Sequence, residues 1–384
     1  MRRLLILASA MVFFDVVFFS AIAPLLPDYV SDLGLSKAQA GVLSAAYAAG
    51  TLVFSLPAGL IAARFGPRRT VISGLLLLGV ASVAFGFAHE FVLLDVARFA
   101  QGGAGALIWS GALTWLVSVS PPEKRGSVIG TALGTAVAGA LFGPALGALA
   151  ATVGTEQVFS GVLLVALALA AFAARLPDAE VSEHQDLRAV AETIFTRPIV
   201  LATAFVAIPS VMFGAVEVLV PLQIDDLGGG HALIAAGFIA GAALEAVLAP
   251  LAGGYSDRVG RRIPFMVGLS ICAIAMAAVA IGGAMGVVMA GLILTSLGGG
   301  ICFTPALTML SEVAESSGLH QGFAAGLSNM AWAAGQVVGG LAGGGAASVA
   351  GNAAPSLVII ALLVGTVLYA FRALAPPTIR AVEG

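Results

Sequence analysis

Charge is what this sequence has least of. Of its 384 residues, 17 are Lys or Arg and 20 are Asp or Glu, whereas 60% are hydrophobic and the mean hydropathy is +1.06. A soluble domain devotes about a quarter of its residues to charge, so no water-facing surface can be assembled from this composition and a soluble protein is excluded. Cysteine is almost absent: Cys272 and Cys302 both sit inside apolar runs, where a thiol packs as a small hydrophobe. Neither a disulfide framework nor a metal site is expected. The phosphate-cradling pattern Gly-x-x-x-x-Gly-Lys is missing, and no nucleophile, base and orienter stand at recognisable spacing. Enzymatic function and cofactors are therefore not expected, and an ion gradient remains as the energy source for uphill work. The net charge of -3 averages over separated faces and implies no nucleic-acid partner.

Long apolar runs are what the chain has instead. A bilayer core about 30 Å thick needs roughly 20 apolar residues per helix, and runs of that size recur twelve times. They span 4–27, 38–63, 69–88, 91–119, 126–153, 157–176, 198–222, 231–256, 262–282, 286–312, 321–348 and 353–373. The sequence thus predicts an all-α membrane protein. All basic residues except Lys37 and Arg98 fall on one side of this arrangement, so the positive-inside rule places both termini in the cytoplasm, as an even number of spans requires. A multi-pass protein of a prokaryotic cell membrane is expected, with the lipid bilayer as its surroundings.

The chain is also a duplication. Gly59, Arg64, Gly66 and Arg68 reappear as Gly253, Arg258, Gly260 and Arg262, each 194 residues later, and Pro27 to Gly34 reappears as Pro221 to Gly228. The match behind the first run argues that Met1 to Pro27 is a retained helix and not a cleaved leader. The division expected is a six-helix bundle over 1–177, a cytoplasmic linker with a short amphipathic helix over 178–197, and a second six-helix bundle over 198–384.

Two repeats of six spans, each with a basic loop after its second span, resemble the major facilitator superfamily (MFS) along nearly the whole chain. The family's loop pattern is complete at Gly253, Asp257, Arg258, Gly260, Arg261 and Arg262; in the first copy Gly59, Arg64, Gly66, Arg68 and Arg69 remain, but Ala63 stands at the Asp position. The resemblance implies two pseudo-symmetric bundles and a cytoplasmic latch, with the second copy carrying more of it. Arg98, followed by Gln101, Gly102, Gly103 and Gly105, is similar to the family's fourth-helix motif. Gly139, Gly143, Pro144 and Gly147 look like the fifth-helix motif of its antiporters, and Gly335, Gly339 and Gly343 repeat the spacing without the proline.

Polar residues inside the spans are expensive and therefore informative. Asp15 lies mid-span among Phe13, Phe14 and Phe18, and Glu217 and Glu245 lie in the seventh and eighth spans. Arg98 admits two readings: a pair with Asp95 one turn earlier, or a cavity arginine that senses proton or substrate. Asn329 and Gln336 share a face of the eleventh span as ligand partners or interhelical glue. Helices 1, 4, 7 and 10 line the cavity in the family, which implies that Asp15, Arg98, Trp109 and Glu217 surround it. The function expected is proton-coupled export, by alternating access, of small lipophilic cationic or zwitterionic molecules, with a small-molecule substrate and protons as partners of a monomer. A sugar or metabolite exporter of the same fold is the second reading. A non-transporting receptor is disfavoured by the short loops.

Overall fold

The computed structural model describes residues 2–121, 125–178, 192–319 and 321–373. Its long helices are α1 (Arg2–Ser20), α2 (Lys37–Phe65), α3 (Pro67–Gly86), α4 (Phe91–Ser118), α5 (Arg125–Val153), α6 (Thr155–Ala174), α7 (Arg197–Asp226), α8 (His231–Val259), α9 (Arg262–Ile281), α10 (Met285–Ser316), α11 (Gln321–Ala350) and α12 (Ala353–Ala373). No strand occurs among the described residues. Among the described residues, eleven helices are long and apolar enough to cross a membrane. The exception to the expected twelve is α11, whose apolar content is diluted by Asn329, Gln336 and a run of glycines; it packs along α2 and α7, so protein replaces much of its lipid contact. The first span also departs from expectation. α1 stops at Ser20, and a 3-10 turn (Ala23–Leu25) and a short helix (Leu26–Leu33) follow, because Pro24 and Pro27 have no N–H to continue the ladder. The amphipathic helix expected within the 178–197 linker falls mostly on residues 179–191, outside the described residues; residues 192–194 are helical.

The duplication is written into the backbone. Gly66 and Gly260 close α2 and α8 with φ of 88° and 89°, and Gly34 and Gly228 end the helices before them with φ of 61° and 81°. These are left-handed conformations open to glycine, so the residues that identified the repeat are those the turns require. Ser36 starts α2 with a reciprocal cap: its hydroxyl accepts from Gln39 N–H, and the Gln39 side chain accepts from Ser36 N–H.

Two apolar cores result, one drawn mainly from α1 to α6 and one from α7 to α12. Large apolar side chains such as Leu164, Ile274 and Leu368 point outward, an arrangement stable only against lipid. Within the first core, Gly139, Gly143 and Gly147 of α5 lie against the backbone carbonyls of Phe13, Val17 and Ala21 of α1. In the second, Gly335 and Gly339 of α11 meet the carbonyls of Ala207 and Val211 of α7, and Gly343 meets Ala215. Both glycine series let one helix settle onto another, the second as closely as the first at Gly335 and Gly339 and less closely at Gly343.

α2 runs along α11, and α5 along α8, joining the cores. Polar links between them gather at the end away from the chain termini, here called the distal face. His231 meets Asp28 at 2.6 Å, while Lys37 reaches Asp226 at 3.6 Å and Asn352 at 3.3 Å.

A β-carbon added at Gly147 would strike the Ala21 carbonyl, whereas one added at Gly161 meets nothing within 4 Å. Gly147→Ala should therefore cost about 1–3 kcal/mol through separation of α1 and α5, and Gly161→Ala should leave stability unchanged or raise it. Thermal unfolding of the two variants in one detergent checks this; equal midpoints would show that the α1–α5 contact is slack.

Candidate functional site

The break in α1 creates the demand that the site answers. Where the helical ladder gives out after Ser20, the carbonyls of Phe18 and Phe19 face α4. The Arg98 guanidinium donates to both, at 2.8 Å to Phe18, and to Gln101 Oε1 at 3.2 Å. Gln101 in turn donates to Ser82 Oγ of α3 at 3.1 Å. Arg98 is 2% exposed, and its guanidinium carbon sits 5.0 Å from the centroid of the Tyr47 ring. A cation at the C-terminal end of a helix also meets the negative pole of the backbone dipoles. Of the two readings of Arg98, the pair with Asp95 is not formed: Arg98 is committed to α1 and Gln101, and one Asp95 oxygen is buried without a partner.

Asp15, 1% exposed on the α1 turn before the break, is held by neutral donors. Tyr47 O–H donates to Oδ1 at 2.7 Å and Trp109 Nε1–H to Oδ2 at 3.0 Å. No cation lies within ion-pair distance of it among the described residues. Glycine makes the space: a β-carbon at Gly105 would lie 2.8 Å from Asp15 Oδ1, and Gly102 abuts the Tyr47 carbonyl. The glycines that follow Arg98 therefore admit α2 and the carboxylate together. Phe19 stacks edgewise between Tyr47 and Trp332 of α11, with ring centroids 5.1 Å apart on each side, so the site reaches the second core.

Of the other candidates, Glu217 joins this group: it lies beside the Ser44 hydroxyl of α2 and within the field of Arg98. Glu245 does not. It faces Gly300 of α10, 3.3 Å from where a β-carbon there would stand, and shares none of the Asp15 partners. Gln336 packs on Gly214 of α7 with its side-chain oxygen unpartnered, and Asn329 lies half-buried two turns earlier.

A family profile described as Major Facilitator Superfamily matches residues 8–319 and 225–383. The chain belongs to that superfamily. Relatives include the MFS-type transporter ppzB of Metarhizium rileyi, 32% identical over 162 residues (41% of this chain and 34% of the relative). Another is the quinolone resistance protein NorA of Staphylococcus aureus, 28% identical over 138 residues, 36% of each chain. The chain thus aligns with about a third of the length of these relatives. Two solved folds superpose over nearly everything. A bacterial homologue of the human lysosomal transporter Spinster, in an inward-facing and unoccupied conformation, gives a TM-score of 0.74 at 14% identity, covering 96% of this chain and 95% of that one. A D-xylose–proton symporter gives 0.75 at 16%, covering 96% of each. The protein is a multi-pass membrane protein with the superfamily's two-bundle fold.

The superfamily's basic loops show where sequence reasoning fell short. In the second copy Arg261 pairs with Asp257 and, at 2.9 Å, with Glu312 of α10; these bonds, Asp257 first, hold the guanidinium above the ordinary arginine pKa. Arg262 donates to the Phe371 carbonyl at 2.6 Å, while Arg258 is exposed. In the first copy the acid absent at position 63 arrives from beyond α6: Asp178 accepts from Arg68 N–H at 3.3 Å and lies 3.6 Å from its Nε, at the N-terminus of α3. Arg68 also donates to the Leu176 carbonyl at 3.0 Å. Arg64 lies over the Phe65 ring, and Arg69 is exposed. Tyr47 was missed as well. Its signal was a phenol deep in an apolar span, a group that needs an acceptor when removed from water.

Replacing Arg98 by Met removes the donors to both α1 carbonyls. The expected loss is about 3 kcal/mol or more, since each hydrogen bond to a charged group contributes roughly 1.5–3 kcal/mol. Arg98→Lys should fall between the two, because one ammonium cannot span two carbonyls and Gln101. Thermal unfolding of the purified variants measures this, and identical midpoints for wild type and Arg98→Met would show that water satisfies the break.

Proposed function

We propose that this transporter is a proton-coupled exporter of small lipophilic cationic or zwitterionic organic molecules, with Asp15 as the group that carries either a proton or the substrate cation. The observation that supports this reading is the Asp15 environment: a buried carboxylate held by Tyr47 and Trp109 without an ion pair. A carboxylate in a membrane interior is costly when charged and uncompensated. It is relieved by a proton or by an organic cation, and one carboxylate cannot hold both. That exclusivity couples the two flows with opposite sign, as an exchanger requires.

Neighbouring groups divide the work. Trp109, Tyr47 and Phe19 offer aromatic faces to a cation, Glu217 supplies a second acid near Arg98, and Arg98 ties the state of α4 to the break in α1. Glu245, Asn329 and Gln336 extend the cavity wall in the second bundle. Residues 1–177 and 198–384 rock about the Asp15 region, joined by 178–197, while Pro144 lets α5 bend. The protein acts as a monomer in a prokaryotic cell membrane, both termini in the cytoplasm, and performs no covalent chemistry. Similarity to a quinolone resistance protein supports the export reading.

The test is a proteoliposome assay with an imposed pH gradient and fluorescent cationic, neutral and anionic solutes. Wild-type protein should move the cations against their gradient. Asp15→Asn keeps the shape of the side chain and removes its charge, so gradient-driven transport should fall at least tenfold while the unfolding midpoint holds. Full transport by Asp15→Asn would move the assignment to Glu217, and transport of neutral sugars alone would overturn the substrate class.

A further inference from the structure

The second bundle holds a pair of reactive groups that the central site does not use. Cys272 of α9 and Cys302 of α10 are the two cysteines of the chain, both free and both 0% exposed. They meet where α9 packs along α10, and their thiols are hydrogen-bonded to one another. Glycine sets this contact from both sides. A β-carbon added at Gly298, one turn before Cys302, would stand 2.6 Å from Cys272 Sγ, and one added at Gly268, one turn before Cys272, would stand 2.6 Å from Cys302 Cβ. Each helix omits a side chain where the other brings its thiol.

Packing does not require sulfur at this place. The residues 194 positions earlier, Leu78 and Ile108, are both 0% exposed, and Gly74 lies against Ile108 in the first bundle as Gly268 lies against Cys302 in the second. Aliphatic side chains thus complete the same helix contact. What the second copy adds is chemistry, because two touching sulfurs can be bridged by one atom.

The surroundings narrow what that atom can be. Thiolates select soft cations. No group of three or more His, Cys, Asp or Glu is placed to hold a metal among the described residues, so an ion that needs four donors, such as zinc, is not served. Both cysteines belong to the apolar core, and Glu245 of α8 lies within electrostatic reach of Cys302. A product with net negative charge is costly there. A monovalent cation on two thiolates leaves one negative charge, whereas a divalent cation leaves none.

We propose that Cys272 and Cys302 form a binding site for a soft divalent cation that accepts two ligands, the mercuric ion being the type, held as a neutral bis-thiolate bridge between α9 and α10. Each sulfur exchanges its proton for a bond to the metal, two protons leave, and nothing is oxidised or reduced. The bridge ties two helices of one bundle together. The site is separate from Asp15, and its assignment does not depend on what the central cavity carries.

The probe is mercuric chloride, a neutral molecule that enters apolar surroundings, added in excess to reduced protein in detergent after the reductant is removed. After desalting, wild-type protein should retain one mercury per chain, and X-ray absorption at the metal should show two sulfur neighbours. Two mercury atoms per chain, a single sulfur neighbour, or no retained mercury overturns the proposal, and none of these readings needs a variant. The bridge should also raise the unfolding midpoint by several degrees. Cys272→Ala and Cys302→Ala should each lose that rise, and methylmercury chloride, which forms one bond to sulfur, should not produce it in wild-type protein. An equal rise in either variant, or with methylmercury, would show that mercury stabilises the chain without joining the two thiols.

Discussion

A helix that breaks inside a membrane leaves carbonyls with no water to receive from, and an arginine there has no water to give to. Each is costly alone, and in this protein each relieves the other. α1 gives way to a 3-10 turn beyond Ser20, and at this break the guanidinium of Arg98 donates to the carbonyls of Phe18 and Phe19. The rest of the central site depends on that contact. It fixes α1 against α4 at the turn that carries Asp15, and it commits the Arg98 guanidinium to the Phe18 and Phe19 carbonyls and Gln101. Asp15 is left with Tyr47 and Trp109, donors that can hold it without neutralising it.

Glycine sets how closely the helices can approach, and so where these polar groups meet. Gly102 and Gly105 admit α2 and the Asp15 carboxylate to the face of α4, and the α5 glycines seat α1 on the other side. Removing either set would push α1 outward and lengthen the hydrogen bonds that hold Asp15. The same construction recurs between α7 and α11, where Ala207, Val211 and Ala215 stand 194 residues beyond Phe13, Val17 and Ala21. The second copy has Pro209 at the position matching Asp15, so duplication reproduced the packing without the acid.

Much of this was legible before any coordinates. The spans follow from apolar length, and the repeat follows from glycines whose left-handed turns nothing else tolerates, as at Gly66 and Gly260. Asp15, Arg98, Gln101 and Trp109 announced themselves because polar groups in hydrocarbon need a reason. What was not legible was pairing. Asp95 is the nearer acid to Arg98 in sequence, but the break in α1 offered carbonyls, and a guanidinium fork suits two of those well. Asp178 could not be matched to Arg68 because 110 residues separate them and only the packing of α6 beside α3 closes the gap. α11 was readable as a span by length and not by hydropathy, since its glycines serve neighbouring helices and not lipid.

Position also argues for how the two ends of the molecule divide their tasks. Across the distal face the bundles are joined by charged or polar side chains, His231 with Asp28 and Lys37 with Asp226 and Asn352. Exposed links of this kind contribute little each, about 0–1 kcal/mol, so they can be made and broken with thermal energy. At the opposite face Arg261 pairs with Asp257 and Glu312, and Arg68 with Asp178. Besides the packing of α2 on α11 and of α5 on α8, the bundles are thus joined across the distal face by links that cost little to exchange. The costly interaction, Arg98 on the broken α1, stays within one bundle, where a rocking motion need not disturb it.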